Sequence, residues 1–171
     1  MNYGNIKICD IADGPGVRVS LFVSGCRNHC PGCFNKETWS FDYGKSFTTE
    51  TIDTIMKELE KPYVCGLTVL GGDPFEPENI VQVERLCKIA KMLHPEKTVW
   101  VYTGYHFEDF MGITTMQYID VLVDGPFIES KKNLNLRFRG SENQRLIDVQ
   151  KSLKAGHAVE WIDMDYENRM R

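Results

Sequence analysis

Through the middle of this 171-residue chain, short β-rich runs alternate with stretches of helical period, and the runs end on glycine. Val17–Val23 stops at Ser24-Gly25, residues 67–70 at Gly71-Gly72-Asp73-Pro74, residues 98–102 at Thr103-Gly104, and residues 121–123 at Asp124-Gly125. Between the first two, Ile52, Ile55, Met56 and Leu59 recur at helical spacing after the capping candidates Thr48 and Thr49, and Pro62 ends them. Ile80, Val83, Leu86, Cys87 and Ala90 do the same over 79–93, ahead of Pro95. A weaker helical stretch is expected over 107–118, and two short β-like pieces around 136–138 and 146–149. Such alternation builds βα units on a parallel sheet, so the expected class is α/β. In such sheets the loops past the strand C-termini diverge, and ligands bind at that edge. All four glycine-marked turns fall there. With no repeat or linker, we expect one domain over 1–150 and a charged tail over 151–171, with Trp161 as its candidate anchor.

Three of the six cysteines, Cys26, Cys30 and Cys33, lie within eight residues in the run Gly25-Cys26-Arg27-Asn28-His29-Cys30-Pro31-Gly32-Cys33-Phe34. Cys9, Cys65 and Cys87 are scattered among apolar neighbours and read as core or near-core thiols. The N-terminus has no basic region followed by an apolar run, and the longest apolar stretches are too short to span a bilayer, so a cytoplasmic protein is expected. A reducing compartment favours metal or redox chemistry over disulfides. A net charge of −4 without a basic block argues against a sequence-independent grip on nucleic acid. The C-x3-C-x2-C run, loosened by Gly25, Pro31 and Gly32, can wrap one soft centre. Three readings stay open on spacing: unrelated buried thiols, a zinc site completed by His29 or Cys9, or an iron–sulfur cluster with one iron left open.

The motifs resemble the radical S-adenosylmethionine (SAM) superfamily, through C-x3-C-x2-C after one strand and Gly71-Gly72-Asp73-Pro74 after another. Within it the chain is similar to the activating enzymes of anaerobic ribonucleoside-triphosphate reductase. That likeness rests on Asp13-Gly14-Pro15-Gly16, Cys30-Pro31-Gly32-Cys33-Phe34-Asn35-Lys36 with Thr38-Trp39, Val101-Tyr102-Thr103-Gly104-Tyr105, Val123-Asp124-Gly125 and the block from Phe138 to Arg145. These blocks run from about residue 3 to 148; the tail matches nothing. Most of the superfamily has an aromatic residue just before the third cysteine, where this chain has Gly32 with Phe34 following, and many relatives outside this branch have Glu where Asp73 stands.

The resemblance implies a partial (β/α) barrel of the radical SAM type. Cys26, Cys30 and Cys33 would bind three irons of a [4Fe–4S] cluster, and SAM would chelate the fourth. Gly72 and Asp73 would meet the methionyl amine, while Gly32, Cys33 and Phe34 would lie against the adenine. One electron would break the S–C5′ bond, giving methionine and a 5′-deoxyadenosyl radical that takes hydrogen from a partner's glycine; no catalytic residue beyond cluster and SAM is needed. Implied partners are the reductase catalytic subunit and a low-potential one-electron donor such as a flavodoxin or ferredoxin, with assembly as a homodimer or a heterotetramer with the reductase; no nucleic acid or membrane is involved. Arg18, Asp13 and Asp124 are candidates for SAM polar groups or for rim ion pairs, and Arg137, Arg139 and Arg145 for barrel closure or docking. A valine at Gly72 is expected to weaken SAM binding while sparing the cluster.

Overall fold

The computed structural model describes residues 1–163. Seven strands form one mixed sheet in the order β3-β1-β2-β4-β5-β6-β7. Its centre is parallel, as the alternation requires: β2 (Val17–Val23), β4 (Val64–Gly71), β5 (Thr98–Tyr102) and β6 (Val121–Asp124) all run one way. The flanks are antiparallel. β1 (Asn2–Asp10) forms a bulged hairpin with β2, β3 (Lys45–Ser46) pairs with its start, and β7 (Arg145–Asp148) closes the other edge against β6. The sheet is therefore not wholly made of βα units, and β1, in which Ile6 and Ile8 alternate with polar residues, went unread because Gly4 and two asparagines dilute its signal.

Helices α1 (Thr49–Leu59) and α2 (Ile80–Leu93) supply the first two crossovers. At the start of α1, Thr51 Oγ1 accepts the Thr48 backbone N–H at 3.2 Å. Both helices bury one stripe against one face of the sheet: Ile52, Ile55 and Leu59, with Val83, Leu86 and Ala90, meet Val19, Leu21, Leu67, Val69, Val99 and Val101. The expected helix over 107–118 is instead two 3-10 turns, Phe107–Asp109 and Thr114–Tyr118, which suit a crossover too short for an α-helix. The expected β piece at 136–138 is irregular loop. A third helix, α3 (Val149–Ala155), begins on Asp148, whose carboxylate caps Lys151 N–H at 3.0 Å, and ends on left-handed Gly156. Residue 151, where a tail was expected to begin, thus lies inside a helix.

Strand alternation turns the other residues to the second face, where Trp100, Val121, Val123 and Leu146 pack with Phe138 and Trp161. Trp161 docks edge-on to Trp100, ring centroids 4.9 Å apart, and its N–H bonds Leu146 O at 2.8 Å. The tail anchor expected from sequence is therefore seen; the remainder of the tail, 164–171, lies outside the described residues. Arg18 is fully buried on this face and donates to Thr68 Oγ1 (2.6 Å), Leu67 O (2.7 Å) and Thr98 Oγ1 (2.9 Å). Burial pushes its pKa down to about 10. The Asp13-Gly14-Pro15-Gly16 turn folds over it: Gly14, at φ +137°, would drive a Cβ to 2.7 Å from the Arg18 side chain. Arg18 is thus a floor for that turn rather than a ligand group. Cys9 and Cys65 are exposed, against expectation; only Cys87 is a core thiol. Among the described residues no helix is long and apolar enough to cross a membrane.

Candidate metal centre

The cysteine loop leaves β2 and is fastened at its root largely by backbone hydrogen bonds. Gly25 N–H bonds Thr38 O at 2.7 Å, Cys26 N–H bonds Trp39 O at 3.1 Å, and from the turn after β4 Asp73 N–H bonds Gly25 O at 2.8 Å. Within the loop His29 holds a left-handed φ of +43° and stacks on Trp39, centroids 4.6 Å apart. The Asn35 backbone N–H points at Cys33 Sγ, 3.4 Å away, and the main chain of Asn28 and His29 beside Cys26, and of Phe127 beside Cys30, partly offsets the burial of those thiols. Burial pushes the Cys26 thiol up to about 11 and raises that of Cys30, so a metal that binds there displaces their protons.

All three cysteines line one cavity of about 490 Å³, within the range of about 300–1,000 Å³ typical of small-molecule sites. Among the described residues, only His106, Glu108 and Asp124 bring three ligand atoms within 4.8 Å of one another. The cysteine sulfurs do not all approach that closely, whereas a single tetrahedral ion with bonds of about 2.3 Å needs them about 3.8 Å apart. The His106 trio is already served by a cation: Arg145 pairs with both Glu108 and Asp124. Asp124 also takes the Phe107 N–H at 2.9 Å, so it shapes the β6–β7 edge and is not free for a ligand. In the same stretch Arg139 bonds Gln144 O at 3.2 Å and Arg137 pairs with Asp163 at 2.7 Å.

Opposite the cysteines stands the Gly71-Gly72-Asp73-Pro74 turn. Gly72 lines the cavity, but a Cβ there would lie 2.5 Å from Gly25 O and 2.9 Å from Thr38 O. The glycine is required by the root of the cysteine loop, so valine there is expected to disturb the cluster as well as SAM binding. Asp73 is 1% exposed. Its Oδ1 accepts from Phe75 N–H (3.0 Å) and Thr103 Oγ1 (2.8 Å), and its Oδ2 from Asn28 Nδ2 (3.0 Å) and Gly104 N–H (2.9 Å). Four donors use up both oxygens, so its carboxylate ties together the loops after β2, β4 and β5 instead of reaching for an ammonium. Burial is also the main reason its pKa rises to about 6. Gly32, at φ +73°, packs where a Cβ would meet the Glu129 carboxylate at 2.7 Å. Phe34 is not a core ring: it is 58% exposed at the cavity rim, edge-on to Phe127 and under Lys132 Nζ.

Two asparagines went unread in the sequence. Asn28 holds Asp73, and fully buried Asn79 donates to Ser24 O at 3.0 Å and Asp73 O at 2.9 Å. Asn79 stands at the start of α2, where its side chain makes no capping bond and serves the bridge instead.

The far end of the cavity holds Asp13, whose pKa is raised to about 7 by burial and then by the neighbouring Asp10. The folded state thus binds this proton more tightly than the unfolded chain, so stability falls as pH rises from about 4 to about 7. Asp13→Asn is expected to leave stability unchanged at pH 4 and to raise it at pH 8 by on the order of 2 kcal/mol, after discounting for partial exposure. Urea unfolding of the metal-free protein at both pH values checks this, and equal gains at the two would refute it.

Compared with known proteins, residues 12–147 match the family described as a 4Fe-4S single cluster domain. An anaerobic ribonucleoside-triphosphate reductase-activating protein of Enterobacteria phage T4 is 44% identical over 85% of this chain and 93% of its own length. Proteins of the same name from Escherichia coli strain K12 and Vibrio cholerae are 40% and 41% identical, each over 84% of this chain and 96% of their own length. The chain belongs to the family of anaerobic ribonucleoside-triphosphate reductase-activating proteins, built on a 4Fe-4S single cluster domain.

Proposed function

We propose that this chain is a radical SAM activase that reductively cleaves SAM at a [4Fe–4S] cluster and generates a glycyl radical on the anaerobic ribonucleoside-triphosphate reductase. The observation that carries this reading is that three cysteines and the Gly71-Gly72-Asp73-Pro74 turn share one cavity at the C-terminal edge of the parallel strands. Held there by Cys26, Cys30 and Cys33, a [4Fe–4S] cluster would supply the low-potential electron for reductive cleavage of SAM, with the reductase's glycine as the source of the hydrogen atom.

The chain's own residues hold and orient. Cys26, Cys30 and Cys33 are the iron ligands, and the Asn35 N–H aimed at Cys33 Sγ helps spread the charge of that thiolate. Gly72 offers the methionyl ammonium a backbone carbonyl on the cavity wall, and Asp73 keeps that backbone in place. Gly32 and Phe34 form the adenine end, with the exposed Phe34 ring as its apolar face. The second face of the sheet is read as the inside of a partial barrel, with Trp100, Phe138 and Trp161 filling the part away from the cavity and excluding water. A low-potential one-electron donor of the flavodoxin or ferredoxin type delivers the electron.

The test is to purify the protein without oxygen, reconstitute it with iron and sulfide, reduce it, add SAM and assay 5′-deoxyadenosine. The expected result is product that depends on all three cysteines, followed by a glycyl-radical signal in electron paramagnetic resonance when the reductase is added. No product from protein that carries an intact reduced cluster would refute radical SAM chemistry.

A further inference from the structure

Three residues past Asp73 lies a second buried carboxylate, Glu76, to which the chemistry above gives no task. Its side chain is 0% exposed. Oε1 accepts the Arg27 backbone N–H at 2.7 Å and the Tyr105 hydroxyl at 3.1 Å, and Oε2 accepts Arg27 Nη1 at 2.5 Å. Arg27 directly follows Cys26, so this carboxylate grips the cysteine loop by both the main chain and the side chain of one residue. Tyr105 carries the grip onward: its carbonyl takes the Gly125 N–H at 2.9 Å and its own N–H bonds Thr103 Oγ1 at 3.2 Å. Glu76 thus links the loops that follow β2, β4 and β5, and the Tyr105 backbone extends the link to the loop after β6.

Charge adds to geometry. The Arg27 guanidinium also pairs with Glu78 and lies 4.5 Å over the Phe41 ring. Glu76 is fully buried, while the guanidinium that pairs with it is half exposed and shared with Glu78, so the Glu76 carboxylate near Cys26 is only partly neutralised. A charge buried in a medium of low effective dielectric acts on its neighbours far more than one in water. Electron density near an iron–sulfur centre disfavours adding another electron, and surrounding charge and hydrogen bonding are among the determinants of such potentials.

We propose that Glu76 is a positioning residue for the cluster, which fixes the backbone after Cys26 and holds a partly neutralised negative charge beside it so that the reduction potential stays low. The inference rests on the iron–sulfur reading of the cysteine loop.

The test compares wild-type protein with Glu76→Gln and Tyr105→Phe after anaerobic reconstitution. Iron and sulfide are counted, the reduction midpoint is titrated, and iron loss to an excess of chelator is timed. Glu76→Gln keeps the shape and removes the charge. Its midpoint is expected to move to more positive potential and its iron loss to quicken on the order of tenfold, the lower end of what removing an outer-shell partner does. Tyr105→Phe removes one hydrogen bond without touching charge, and is expected to quicken iron loss while the midpoint stays put. A folded Glu76→Gln with wild-type midpoint and wild-type iron loss overturns the proposal. Should that variant fail to fold, wild-type iron loss from Tyr105→Phe overturns it. Failure of the wild-type protein to take up iron and sulfide is a different result, seen before any variant is compared, and it removes the underlying reading.

Discussion

Cys26→Ala, Cys30→Ala and Cys33→Ala, each made alone, are expected to lower cluster iron and sulfide and 5′-deoxyadenosine formation by more than about a hundredfold. Loss of an outer-shell partner already costs about 10–100-fold in metal sites, and these residues are proposed as the ligands themselves. A cubane centre ordinarily uses four cysteines, so a site with three has no spare protein ligand. Cys9 and Cys65 are exposed and Cys87 sits on the buried face of α2, so alanine at Cys9 or Cys65 serves as the control. Any one of the three loop variants that keeps wild-type iron and turnover would remove that cysteine from the ligand set. The folds of the variants should survive, because the root of the loop is held by the Gly25, Cys26 and Asp73 backbone N–H groups and not by sulfur.

Gly72→Val is expected to fail more broadly than a ligand-contact change. Its Cβ would stand 2.5 Å from Gly25 O, a backbone atom that cannot swing aside as a side-chain tip does. Gly25 O is also the acceptor for Asp73 N–H, so displacing it releases the bond that joins the two motifs. Overpacking of this kind costs about 1–3 kcal/mol. Thermal unfolding of the metal-free variant and its iron content after reconstitution measure the effect, and both should fall together. Full iron content with only SAM affinity lost would show that the side chain points into the ligand space after all.

The parallel centre of the fold was legible because four apolar runs each end on a glycine turn, and both long helices carry clean stripes. The flanks were not. β1 mixes Gly4, Asn5 and Lys7 into its alternation and is bulged twice, so its period is broken in the sequence as well as in space. α3 is only seven residues, too short to show a stripe, although Asp148 and Gly156 mark its ends. At the site, the cysteines and the glycine-rich turn could be found because their spacing is itself the signal. Asp73 could be found but not its role: a carboxylate near a ligand pocket reads as a ligand contact until its four donors are known. Three of those donors, Asn28, Thr103 and Gly104, come from distant segments. Phe34 carried the opposite ambiguity, since an aromatic beside a cysteine loop reads equally as core or rim, and only its exposure decides.

The backbone bonds at the root of the cysteine loop have a consequence for the life of the protein in a changing atmosphere. Many small metal domains fold only as the metal arrives, and losing it unfolds them. Here the loop's root, its link to the next strand's turn and the buried Asn79 bridge are all made by the polypeptide itself. Oxygen that strips an exposed cluster would then leave a folded, empty receptacle rather than a denatured chain. Return to anaerobic conditions would require only that iron and sulfide be delivered again, with no new synthesis of protein.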